Sequence, residues 1–206
     1  MTNVRGWFTS TWTAFLKHTL ELRMFLGYAL IVFWPGAKPP QHPQPEPAGQ
    51  QRAPADWRIE EYQVYVDEAR RDMDNQQADK RDIRARAQIV LSTALVLGGA
   101  IVASYSDKSH LGVGWKLAYL LAAILTALTA LSAGGIITAR SPIGAPRLTA
   151  LLSTGSGDVH CRLADEYAAS RHYGAATIAV LVTVLRDCLL ALILGAVALA
   201  IAHVWA

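Results

Sequence analysis

The chain has 206 residues, 52% of them hydrophobic and 17% charged, with a formal net charge of +3. That balance is too apolar for an ordinary soluble domain and too charged for a chain that is all membrane. So small a positive charge, with no basic stripe interleaved with aromatics, argues against nucleic acid as a partner. The two cysteines, Cys161 and Cys188, form no CxxC and no metal-ligand spacing, so neither a metal nor another cofactor is expected.

Residues 1–34 hold all four phenylalanines and three of the six tryptophans. Such aromatics favour a membrane–water interface. The stretch 15–34 is interrupted by Lys17, His18, Glu21 and Arg23, and its clean part, 24–34, reaches only about 16 Å as a helix. An in-plane amphipathic helix or a re-entrant segment is the preferred reading, with a further span as the alternative. Residues 35–56 contain seven of the nine prolines and read as an extended, polyproline-like linker.

Residues 57–86 read as a charged helix, with seven Arg or Lys and eight Asp or Glu from 58 to 86. Ile59, Tyr62, Val66, Ala69, Met73, Gln76, Lys80, Ile83 and Ala87 alternate in steps of three and four, an a/d heptad seam. Gln76 and Lys80 are polar seam positions that weaken packing but could fix register or oligomer number. Asp79 and Arg84 stand where an interhelical pair is possible. No Pro breaks the run, so one helix is expected from 57 to about 105, with about 45 Å of it outside the bilayer.

Three stretches are long and apolar enough to span: 87–105, 115–139 and 188–205. The loop 106–114 makes a tight hairpin of the first two. Residues 140–157, with Pro142 and Pro146, read as an irregular crossover, and 158–187 as a cytosolic or interfacial helix that packs on the heptad face through 174–185. Asp158 is a plausible N-cap. Placing the third span after Arg186 and Asp187 avoids burying both charges, which on the insertion scale would cost roughly 5–7 kcal/mol. Trp205 then anchors its far end.

Lys and Arg set the orientation. Arg81, Arg84, Arg86, Arg140, Arg147, Arg162, Arg171 and Arg186 flank one side of the spans, against Lys108 and Lys116 on the other. The charged helix and crossover are therefore expected in the cytosol, and the C-terminus outside. The expected fold is an all-α integral membrane protein: three transmembrane helices with long cytosolic helical extensions.

The second span carries Ala118, Ala122, Thr126, Ala130 and Gly134 at every fourth position. This ridge of small residues allows close helix approach, within one chain or between copies. No buried carboxylate or His lies inside a span, His203 standing at the far end of the third, which argues against an ion-coupled carrier. The intramembrane hydroxyls Ser92, Thr93, Thr126, Thr129 and Ser132 can each bond their own helix backbone. His160 with Cys161, and Asp165 with Glu166, are adjacent rather than three or four apart, so they do not converge. No phosphate loop, nucleophile elbow or zinc signature occurs, and no enzyme is expected.

The run WRIEEYQVYVDEARRDMDNQQADKRDIRARAQ leads into a two-span hairpin. Over residues 57–140 this layout resembles the bacterial SLATT-type membrane effectors of nucleotide-signalled conflict systems. The resemblance implies spans that form pores or disrupt the membrane once a sensor partner is activated, in the inner membrane of a bacterium. Two functions are therefore expected. One is a self-associating effector, a homo-oligomer assembled through the seam residues Ile59, Tyr62, Val66, Met73 and Ile83 and through the small-residue ridge. The other is a non-catalytic scaffold whose coiled coil docks a cytosolic protein at the lipid bilayer.

Overall fold

The structure is a computed structural model that describes residues 19, 21–33, 57–107, 112–139 and 159–204. Among these residues the regular elements are four helices and no strand: α1 (21–31), α2 (Ile59–Asp107), α3 (Val113–Thr138) and α4 (Val159–Val204). Residues 1–18, the linker 35–56, the crossover 140–157 with Arg140 and Arg147, Lys108, Asp158 and Trp205 lie outside the described residues.

Local chemistry explains where the long helices start and stop. The Arg58 carbonyl accepts the Glu61 and Tyr62 N–H groups, and the Arg58 N–H donates to Glu61 Oε2 at 2.8 Å. This is half of a capping box, and Glu60 and Glu61 also suit the positive end of the helix dipole. α2 then runs for 49 residues, through the expected junction at 87, with no interruption. α4 is likewise one helix of 46 residues, continuous across Arg186 and Asp187. The first turn of α3 has no side-chain cap, and its last turn closes with Ala139 N–H on the Gly135 carbonyl. The α2, α3 and α4 helices are each long and apolar enough to cross a membrane.

Contacts divide the described residues into two units. The first, a helix pair, consists of α2 as far as Ile83 and α4 as far as Leu181. Val66, Ala69 and Met73 of α2 form a buried cluster with Tyr167, and Leu163 packs against it. Tyr62 stacks on His160, Arg70 donates to Tyr167 Oη, and Gln76 Nε2 donates to the Arg171 carbonyl. Partners advance together along both helices, so the pair is parallel.

The second unit, a bundle, holds α1, α2 from Arg84, α3, and α4 from Val182. Of its three long helices α3 is the most enclosed: 39% of its apolar stretch is buried, against 22% and 28% for those of α2 and α4. Ile101, Trp115, Tyr119, Ala122 and Ala202 make the core at one end, where Trp115 and Tyr119 rings lie 4.2 Å apart. Toward the other end Thr129 Oγ1 reaches the Cys188 carbonyl at 3.4 Å, and Arg84 donates to the Ala139 carbonyl at 2.7 Å. The α3 helix thus runs antiparallel to both its neighbours.

The α1 helix lies against the C-terminal part of α3. Ser132 Oγ donates to the Phe25 carbonyl at 3.2 Å, and the Tyr28 backbone sits directly on Gly135. A side chain at Gly134 would touch Val32. These approaches involve Phe25, Tyr28 and Val32 on α1 but only residues 132–135 on α3. Met24, Phe25, Tyr28, Ala29 and Ile31 are buried, whereas Leu22, Leu26, Leu30 and Phe33 remain exposed.

Candidate functional site

The seam of α2 is buried from Tyr62 onward. Tyr62 is 1% exposed, and Val66, Ala69, Met73, Ile83 and Ala87 are all buried. The same three-and-four spacing continues through the buried residues Val90, Ala94 and Ile101. Ile59 differs: it is 58% exposed, because it stands at the first helical position, ahead of the first partner on α4. In the helix pair the seam closes on α4 of the same chain. Apolar burial holds it, since the neighbouring Arg171–Asp72 ion pair (2.8 Å) has side chains 53% and 28% exposed. A pair that open to water contributes about 0–1 kcal/mol. The Arg70 guanidinium is held above its ordinary pKa, first by its hydrogen bond to Tyr167.

The polar seam residue Gln76 finds its partner in the Arg171 carbonyl, leaving its own Oε1 buried without a donor. The Arg84 guanidinium caps the carbonyl end of α3, where a cation suits the helix dipole.

The small-residue ridge of α3 also faces inward at its centre. Ala122 is fully buried and Thr126 is 4% exposed, whereas Ala118, Ala130 and Gly134 are half-buried. A methyl group on Gly195 would lie 3.2 Å from Thr126 Oγ1, and one on Gly98 3.8 Å from Thr126 Cγ2. Gly98, Thr126 and Gly195 therefore bring three helices together at one level. Of the two glycines only Gly195 is tight, since a methyl group there would press on Thr126 Oγ1, whereas one at Gly98 would make an ordinary contact.

The hydroxyls divide into three kinds. Ser92, Thr93 and Thr129 bond their own helix backbone, as expected. Ser132 instead reaches across to α1. Thr126 Oγ1 is buried with no partner, like Trp115 Nε1 and Tyr119 Oη in the same bundle. Glu21, which seemed only to interrupt a hydrophobic stretch, meets Arg186 at 3.2 Å with its side chain 14% exposed. Asp187 takes the same guanidinium at 3.1 Å, so Arg186 stands between two carboxylates.

A second heptad, on α4, escaped the sequence reading. His160, Ala164, Tyr167, Arg171, Gly174, Ile178, Leu181, Leu185, Cys188, Leu192, Gly195, Leu199 and Ala202 keep the same spacing, and eight of them are buried. Its positions are filled by small or polar residues as often as by large apolar ones. Steric size, rather than hydrophobicity, was the signal that could have found it.

Cys161 is half-buried, Cys188 is buried, and both are free thiols. Among the described residues no group of three His, Cys, Asp or Glu is placed to hold a metal ion. On the water-accessible face of α2 opposite the seam, Trp57, Glu60, Glu61, Val64, Tyr65 and Glu68 line a shallow open groove. Trp57 folds back edge-on against Tyr62 and Tyr65, with centroids 5.5 and 5.7 Å apart. Val64 is 71% exposed. Compared with known protein families, curated proteins and solved structures, the chain matches none.

Proposed function

We propose that the chain is a non-catalytic, membrane-anchored interaction protein. In this reading α2, α3 and α4 cross the bilayer, and the helix pair stands in the cytosol as the surface on which another protein docks. The exposed apolar residues of the bundle, such as Leu95, Val96, Leu120 and Leu190, face lipid. Lys and Arg flanking the spans set the orientation. The α1 helix lies across the cytosolic end of α3 with its leucines in the interface.

One observation carries the choice between docking and self-assembly. The seam from Tyr62 onward and the centre of the ridge at Ala122 and Thr126, the features that would join copies of this chain, are buried within a single chain. The bundle closes tightly at Thr126, so one copy encloses no water file there. A pore of the kind the SLATT resemblance implies would need other faces for assembly. Purified protein in liposomes tests the choice. The docking reading expects no ion flux above that of protein-free vesicles. Flux that rises steeply with protein density would replace it with the effector reading.

A further inference from the structure

We propose that the groove at the start of α2 is the docking site, and that it receives a basic amphipathic segment of a cytosolic protein. This rests on the docking reading above. Trp57, Val64 and Tyr65 supply an apolar floor, and Val64 is among the most exposed large apolar residues of the chain. Lipid cannot account for an apolar residue here, since α2 around it carries a charged or polar residue at almost every other position. Nor does the seam account for it, since Val64 lies two residues from both Tyr62 and Val66 and so points away from them.

Charge chooses the occupant. Glu60, Glu61 and Glu68 rim the groove, and Asp67 adjoins it with a side chain 71% exposed. Glu61 pairs with Arg58 at 3.9 Å and Glu68 with Arg71 at 3.6 Å, both in open solvent. Such pairs are weak and exchange readily for a better cation. An incoming Lys or Arg placed beside an apolar side chain meets carboxylates and an aromatic face together, whereas an acidic segment is repelled. A second copy of this chain would present the same acidic rim to itself, and is disfavoured for the same reason.

The test uses the full chain in phosphatidylcholine nanodiscs. The probe is a fluorescein-labelled 18-residue peptide of Lys and Leu at helical spacing, with a Glu and Leu counterpart and empty discs as blanks. The basic peptide is expected to bind and the acidic one not. Joint Glu60→Lys and Glu68→Lys substitution, or Val64→Ser alone, is expected to weaken binding about tenfold. Gln77→Lys is expected to leave it unchanged, with helix content preserved in all variants. Equal binding of both peptides, or indifference to the groove variants, would overturn the proposal.

Photocrosslinking in native membranes separates this site from the wider reading. From a photoreactive amino acid at Val64, the expected product is a basic segment of another protein. Capture of a second copy, or of this chain's own residues, sinks the site. Capture of a cytosolic protein from Gln77 but not from Val64 also sinks it, yet leaves the docking reading standing. Capture of no cytosolic protein from either position ends both.

Discussion

Gly135→Ala should detach α1 from α3, although alanine is the better helix former. A Cβ at Gly135 would sit inside the Tyr28 carbonyl, 2.8 Å from its carbon and 3.3 Å from Cα. The obstacle is backbone, so no rotamer change relieves it and α1 must shift as a body. Overpacking of this kind costs about 1–3 kcal/mol. The gain in helix propensity does not offset this, because α3 is helical whether or not α1 is docked. The shift also threatens the Ser132–Phe25 bond, worth about 0.6 kcal/mol in bilayer proteins. A loss of 1–3 kcal/mol raises the detached population about 5- to 150-fold. The assay is thiol labelling of Ala29→Cys, a position 4% exposed, in a background with Cys161 and Cys188 replaced. Labelling should be slow in the parent and fast with Gly135→Ala. Gly99→Ala, where a methyl group meets nothing within 4 Å, is the matched control and should stay slow. If Ala29→Cys labels equally in the parent and in Gly135→Ala, the packing of α1 on α3 is wrong.

Other outcomes follow from single contacts. Ala122→Leu puts bulk at a fully buried position beside Gly195 and should lower the thermal midpoint of the detergent-purified protein, at a cost of about 1–3 kcal/mol. Gln76→Leu should leave the midpoint of helix melting unchanged or raise it, because it removes a buried, half-satisfied amide; a marked drop would show that the bond to Arg171 is a net stabiliser. Arg84→Ala removes the cation from the end of α3 and should cost up to about 2 kcal/mol, whereas the exposed Arg81→Ala should be neutral in the same melt.

The sequence was most readable where composition alternates. In the N-terminal half of α2, apolar seam residues stand out against charged neighbours, so Tyr62, Val66, Met73 and Ile83 could be named from spacing alone. The three long apolar helices were legible by length, since α3 ends within two residues of its expected bounds. Within an apolar helix that contrast vanishes: the exposed Leu190 and the buried Leu181 look alike to a hydropathy pattern. Packing there follows size, which is why the Gly98–Thr126–Gly195 junction and the second heptad had to come from geometry. The contacts of α1 were hidden for another reason. Ser132 and Gly135 look unremarkable in α3, and their meaning depends on a backbone more than a hundred residues away. Charges posed the same problem, because neither Glu21 nor Arg84 signals by spacing that its partner lies on another helix.

The central claim is that the seam of α2 is closed by α4 of the same chain, and mixed-chain crosslinking tests it most directly. Met73→Cys and Tyr167→Cys, neighbours in one buried cluster, are placed either together in one chain or singly in two differently tagged chains that are coexpressed. The native cysteines are removed and a short thiol crosslinker is added to isolated membranes. The account predicts an internal crosslink in the double variant and no crosslinked dimer from the mixture. A Met73–Tyr167 dimer between the two tagged chains would contradict it, and would return the seam to self-assembly.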